Sequence, residues 1–210
     1  MTKKNYSATL YIVSAPSGAG KSSLINAYLN KERKKTRVAI SHTTRQPRPG
    51  EVAGKHYFYI NKSTFQTMVE QNDFIEYATV FDHYYGTSRK EIEGYLEKGI
   101  DVLLDIDWQG ARQVRKSICD TISIFILPPS LDELQKRLIK RDQDQQQIVN
   151  KRMAQAHLEM SHYSEYDYLI INDDFDQAVL QLSTIIQSQA LTVKKQERLH
   201  RHFLDSLGLD

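Results

Sequence analysis

Residues Thr9–Ser23 read TLYIVSAPSGAGKSS, and the reading of this stretch decides the fold. Thr9–Ser14 is apolar and rich in β-formers, the pattern of a strand buried on both faces. Ala15, Pro16, Ser17, Gly18, Ala19, Gly20, Lys21 and Ser22 then match the Walker A spacing GxxxxGK[ST], with Ala15 at the first glycine position. Glycines there let successive N–H groups converge on phosphate oxygens without a Cβ in the way. A helix opening at Lys21 adds partial positive charge at the same place. Lys21 is read as reaching the β and γ phosphates, and the Ser22 hydroxyl as a Mg²⁺ ligand. Ala15 is tolerable at negative φ and costly in the left-handed region. The plain alternative is an ordinary Gly-containing strand–helix turn.

Outward from this loop, strands alternate with helices. A helix from Lys21 to about Lys31 is followed by a short strand Arg37–Ser41. Later come a strand Ile100–Ile106, a helix Gln109–Lys116 and a strand Thr121–Leu127. Ser130 with Glu133 forms a capping box for a helix Leu131–Arg141. A helix Ile148–Tyr163, a strand Tyr168–Ile171 and a helix Asp176–Gln189 complete the series. The fold class expected is α/β, a parallel sheet flanked by helices on both faces with the P-loop after its first strand. Crossovers should be right-handed, and ligands should sit beyond the carboxyl ends of the strands.

The stretch from about Ser41 to Thr87 breaks the alternation. His42–Gly54 is loop-like, Lys55–Ile60 and Phe74–Val80 alternate like strands, and Ser63 with Gln66 suggests a capped helix through Gln71. Ser88 with Glu91 then opens a helix to Lys98, which Gly99 ends. We read a unit 8–190 with a core (8–40, 88–136 and 156–190), an inserted β-rich lobe 41–87 and a mobile helical lid 137–155. Gln143–Gln147, polar and without an apolar anchor, should be mobile. A basic helical tail covers 191–210, with one amphipathic helix expected over Lys194–Asp210.

The 210 residues are 40% hydrophobic and 26% charged, with 9 Gly and 5 Pro. This composition excludes collagen-like, low-complexity and wholly disordered chains. Apolar runs are strand-sized, so no membrane partner is expected. A net charge of +2 is too small to argue for nucleic acid. The lone Cys119 fits a reducing, cytoplasmic compartment.

One nucleotide site does not distinguish an NTPase from a kinase; a kinase needs a second anion site facing the first. Arg45 and Arg48, three apart in a Pro-stiffened loop, could clamp one phosphate through two guanidinium forks. Tyr57 and Tyr85 could add phenolic donors. Glu76, between Ile75 and Tyr77, accepts only, which suits the adjacent N1–H and NH₂ donors of guanine and repels adenine N1. Ser41 and Thr87 could donate to guanine O6. Asp105 and Asp107 close an apolar strand, the Walker B arrangement that holds Mg²⁺ or its water. Arg137 and Arg141 share one helical face, and Arg152 lies beyond the polar hinge, as a closing lid requires. Each has a plain alternative: a solvated basic loop, an outward strand carboxylate, an N-cap at Asp107, a solvated helix face.

Taken together, these motifs resemble the bacterial guanylate kinase family. The resemblance runs from about Thr9 to Gln187. It rests on SAPSGAGKSSL, ISHTTRQPRPGEVAGKHYFY, FIEYA, YYGTS, LLDIDWQG, the arginines Arg137, Arg141 and Arg152, and VNKRM with YLIIND. It implies a P-loop kinase fold with a GMP-binding lobe and a lid, and Mg²⁺-dependent phosphoryl transfer from ATP to GMP, and to dGMP, giving GDP or dGDP and ADP. Carried over by position, Ser41, Glu76, Thr87 and Asp107 contact guanine, while Arg45, Arg48, Tyr57 and Tyr85 hold the GMP phosphate. Ala15 to Ser23 cradle the ATP phosphates, Asp105 stands near Mg²⁺, and Asn172 lies near the adenosine. Lys21, Arg45, Arg137, Arg141 and Arg152 are the catalytic candidates. His42 and Trp108 occupy variable family positions and receive no role. A peptide-binding relative without catalysis, or a P-loop kinase for another acceptor, remains a competing class, and a homo-oligomer is left open.

Overall fold

The computed structural model describes residues 6, 8–31, 36–80, 82–118, 120–142 and 146–208, without the side chains of 140–142 and 146–148. Cys119, the Arg141 side chain and residues 143–145 of the polar hinge lie outside the described residues. The elements in chain order are β1 (Leu10–Ser14), α1 (Lys21–Lys31), β2 (Thr36–Val38), β3 (His42–Thr43), β4 (Phe58–Tyr59), α2 (Lys62–Glu70), β5 (Phe74–Val80), β6 (His83–Ser88) and α3 (Arg89–Glu97). They continue with β7 (Asp101–Asp105), α4 (Trp108–Ser117), β8 (Thr121–Leu127), α5 (Leu131–Asp142), α6 (Gln146–Met160), β9 (Tyr168–Ile171), α7 (Phe175–Ser188), α8 (Val193–Leu199) and α9 (Arg201–Ser206).

Among the described residues, one sheet is parallel throughout, in the order β2-β7-β1-β8-β9. β1 is central because every one of its residues is buried. Its side chains alternate between two cores, as the strand period of two requires. Tyr11 and Val13 point to one face, where Leu24 and Ile25 of α1 and Val179 and Leu182 of α7 pack. Leu10 and Ile12 point to the other, against Ile92 and Leu96 of α3 and Ala111 and Val114 of α4. Each fully buried side chain of this kind contributes about 1.5–3 kcal/mol relative to leaving it in water. A smaller cluster, Leu134, Leu138 and Ala156 with Met153 and Met160, joins α5 to α6.

A second sheet runs in the order β4-β3-β6-β5, with β3–β6 and β5–β6 antiparallel and β3–β4 parallel. A bulge between Phe74 and Glu76 shifts the β5–β6 register. It lets both Ile75 and Glu76 be buried in succession, which simple alternation forbids.

Several local expectations are corrected. The strand expected over Arg37–Ser41 ends at Val38, and His42–Thr43, inside the expected loop, pairs as β3. Lys55–Ile60 contributes only Phe58–Tyr59, while His83–Ser88 is a full strand that composition did not single out. Asn61, not Ser63, caps α2. Its Oδ1 accepts from the Thr64 N–H at 2.8 Å and also takes the Ser63 hydroxyl at 2.7 Å, so the Ser63 side chain is already engaged. The tail forms two short helices, α8 and α9, separated at His200. The caps at Ser88 and Ser130 form as expected, each accepting from the N–H three residues on.

Candidate active site

Beyond the carboxyl ends of β1 and β7 lies a cleft of about 800 Å³. The loop after β1 forms its floor. Gly18 and Gly20 have φ of +91° and +94°, which only glycine adopts without strain. Ala15 is not among the positive-φ residues, so the departure from the Walker pattern carries no backbone cost. A Cβ on Gly20 would lie 2.5 Å from Asn172 Nδ2. That amide donates to the Ala19 carbonyl at 2.7 Å and braces the loop from β9.

Lys21 Nζ lies 2.6 Å from Asp105 Oδ1 and donates to the Ile106 carbonyl at 3.2 Å. Ser22 donates its hydroxyl to Asp105 Oδ2 at 3.0 Å. One carboxylate at the end of β7 therefore holds both functional side chains at the start of α1. Burial works against the Lys21 charge, but Asp105 more than offsets it and the net shift is upward. Ser23 also lines the cleft.

The facing wall comes from the second sheet. Glu76 is 3% exposed. Its carboxylate accepts from the Thr87 hydroxyl, and Thr87 in turn meets Ser41 Oγ at 3.0 Å. Burial raises the Glu76 pKa to about 7, against the Thr87 hydrogen bond and with help from Asp107. Asp107 caps α4, accepting from the Gly110 N–H at 2.9 Å, so the capping alternative holds for that residue while it also lines the cleft. Gly110 is needed for a different reason: a Cβ there would stand 2.5 Å from Glu76 Oε2.

The basic loop contains a residue the sequence reading passed over. Glu51 binds Arg45 Nη2 at 2.8 Å, the Arg48 N–H at 2.7 Å and the Tyr59 hydroxyl at 2.8 Å. These donors, Arg45 first, lower its pKa to about 2. The Arg45 guanidinium lies over the Tyr57 ring, 5.4 Å from its centre, and Tyr57 and Tyr85 line the cleft. The Arg48 side chain is exposed and stands outside the lining, as do Arg45 and Thr87, which reach it only through their neighbours Tyr57 and Glu76, and Arg152 on α6. Arg137 on α5 does line it, with Nε held 2.9 Å from Glu133. His42 packs against Phe58 and Phe74, and Trp108 stacks on His162 at 3.8 Å.

Two further residues escaped the sequence reading. Glu159 on α6 accepts from the Ser17 N–H at 3.1 Å. Gln113 on α4 forms a two-way bond with the Tyr77 backbone, accepting at 3.1 Å and donating at 2.6 Å. The signals were weak: an acid within a basic loop at Glu51, and an acid beside the apolar positions Met153, Ala156 and Met160 of α6 at Glu159. Gln113 offered none, because its partner is backbone 36 residues away.

A parallel sheet whose central strand runs into this loop, with an acid at the end of its neighbour, defines the P-loop class of nucleotide-binding proteins. Comparison with known proteins narrows the class. A family model described as guanylate kinase matches residues 7–189. The chain is 57% identical over 203 residues to a guanylate kinase of Escherichia coli O157:H7, covering 96% of this chain and 98% of that one. It is 56% identical to that of Salmonella typhimurium with the same coverage. A crystal structure of guanylate kinase from Anaplasma phagocytophilum superposes with a TM-score of 0.75 at 30% identity, covering 93% of this chain and 96% of the other. The chain belongs to the guanylate kinase family.

Proposed function

We propose that the chain transfers the γ-phosphoryl group of ATP to GMP, and to dGMP, giving GDP or dGDP and ADP in purine nucleotide metabolism of the cytoplasm. The observation that carries this reading is that Lys21 and the buried carboxylate of Glu76 line one cleft. The ATP phosphates take Lys21 and N–H groups of the loop other than that of Ser17, which Glu159 holds. Glu76, Ser41, Thr87 and Asp107 take the guanine edge, and Arg45 with Tyr57 and Tyr85 takes the GMP phosphate. Arg45, Arg48 and Arg152, now outside the lining of the cleft, belong to this reading through closure of the second sheet and of the α5–α6 pair, which act as GMP lobe and lid. Arg141 is assigned with them on its helical spacing from Arg137 and on the resemblance.

Ser22 Oγ and Asp105 are hard oxygen donors 3.0 Å apart, a set that fits Mg²⁺ or its waters. Bound there with ATP, the ion would supply charge neutralisation between the β and γ phosphates. The acceptor phosphate is already an anion near neutral pH, because its second pKa is about 6. The protein therefore needs no strong general base. Its work is in-line positioning, neutralisation by Lys21 and the arginines, and exclusion of water on closure.

A coupled assay across GMP, dGMP, AMP, CMP and UMP tests the acceptor. Turnover confined to GMP and dGMP is expected; turnover with AMP or the pyrimidines, or none at all, would remove the reading. Lys21→Ala should lower kcat at least about 100-fold while GMP still binds. Near wild-type turnover in that variant would reject the role given to Lys21.

A further inference from the structure

The buried carboxylate of Glu159 has no part in the scheme above. It is 9% exposed and sits in the last turn of α6, where Oε2 accepts from the Ser17 N–H at 3.1 Å. Oε1 takes a longer bond from Gln155 at 3.4 Å. Lys21 and Asp107 are the charged groups that act on it from the phosphate loop and from the start of α4. A second contact joins the same elements. A Cβ on Gly18 would lie 3.0 Å from Leu134 and 3.1 Å from Leu138, so α5 rests on the loop at that point. Leu134, Leu138 and Ala156 bind α5 to α6. Ser17 and Gly18 are thus where the α5–α6 pair is rooted in the phosphate loop. Arg152 precedes Glu159 by seven residues, close to two helical turns, so both lie on one face of α6.

We propose that Glu159 is a positioning residue for phosphoryl transfer: it pins α6 to the Ser17 amide, shaping the phosphate loop and aiming Arg152 at the phosphates. This rests on the reading of Arg152 as a phosphate ligand. The hydrogen bond carries the role, not the charge, so a neutral acceptor of the same length serves. A shorter side chain does not reach.

The test is steady-state kinetics with each substrate varied. Glu159→Ala and Glu159→Asp should each raise KM for ATP and lower kcat by about tenfold, the upper end of what one intramolecular hydrogen bond contributes. KM for GMP should stay within twofold. Glu159→Gln should stay close to wild type in all three. Adding Arg152→Ala to Glu159→Ala should lower kcat no further than Arg152→Ala alone. Unchanged KM for ATP, an equal rise in KM for GMP, a Gln variant as poor as Ala, or additive losses in kcat would each overturn the proposal. Glu159→Asp keeps the test decisive if the Ala variant fails to fold. Should Arg152→Ala by itself keep full kcat, the reading of Arg152 falls, and KM for ATP still judges the hold on the loop.

Discussion

Glu76 is a carboxylate placed where water cannot solvate it, and its chemistry follows from that. Its pKa rises from 4.5 to about 7, chiefly through burial. The stability this group contributes to the free protein is fully present below 4.5 and is lost as pH rises through about 7. GMP acts in the opposite sense, because two N–H donors on guanine favour the ionised form. KM for GMP should therefore rise as pH falls below about 7. In Glu76→Gln that rise should shrink to what the GMP phosphate itself produces, and discrimination against AMP should weaken by roughly 1–3 kcal/mol. Parallel KM profiles for wild type and variant, with equal GMP/AMP selectivity, would take Glu76 off the guanine edge. Glu51 is the contrasting acid. Its pKa of about 2 means that its hold on Arg45 is present above the ordinary carboxylate range and is lost only as pH falls toward 2.

At the scale of elements, α4 acts as the ruler between the two sheets. Three successive positions on one side of it do separate things: Asp107 caps it, Gly110 makes room for Glu76, and Gln113 clasps β5. Among the described residues β5 is the edge strand of its sheet, so the Tyr77 N–H and carbonyl meet no strand there on that side. The Gln113 amide supplies what a neighbouring strand would. Gln113→Ala should loosen β5 against α4 and raise KM for GMP severalfold, as expected from losing about 1 kcal/mol per hydrogen bond. KM for ATP should not move, because the phosphate loop does not touch this clasp. A variant with both constants unchanged would show the clasp to be dispensable for the acceptor site.

For the whole molecule, the cleft and the tail occupy opposite ends of the parallel sheet. Phosphate loop, Asp105 and Asn172 stand at the carboxyl ends of β1, β7 and β9. Helix α8 reaches the other end. Lys195 bonds the Thr9 hydroxyl, Arg198 donates to the Tyr6 carbonyl at 2.9 Å, and Lys194 pairs with Asp120 at 2.5 Å. Two of these contacts are exposed, and the one ion pair among them, Lys194 with Asp120, is weak by itself. Truncation after Leu191 should leave kcat and both KM values within about twofold while lowering the thermal midpoint by a few degrees, as for about 1 kcal/mol in a chain this long. A large loss of activity, measured beside the mass of the assembly in solution, would tie the tail to the site.

What the chain stated by itself was whatever depends on neighbours in sequence. The phosphate loop lies within eight residues, so spacing and strand–helix context exposed it, along with the parallel core whose apolar runs are contiguous. Phe74–Val80, Thr121–Leu127 and Tyr168–Ile171 were legible as strands for the same reason. Only the tertiary structure decided the rest. Two-residue strands such as β3 and β4 exist because partners across the lobe satisfy their backbone, and no local propensity encodes that. The bulge that buries Glu76 beside Ile75 overrides the alternation on which the sequence reading relied. Glu159 and Gln113 bond to backbone amides at separations of 142 and 36 residues. A backbone N–H is the same at every non-proline position, so a residue that binds one leaves no complementary partner in the sequence to be read.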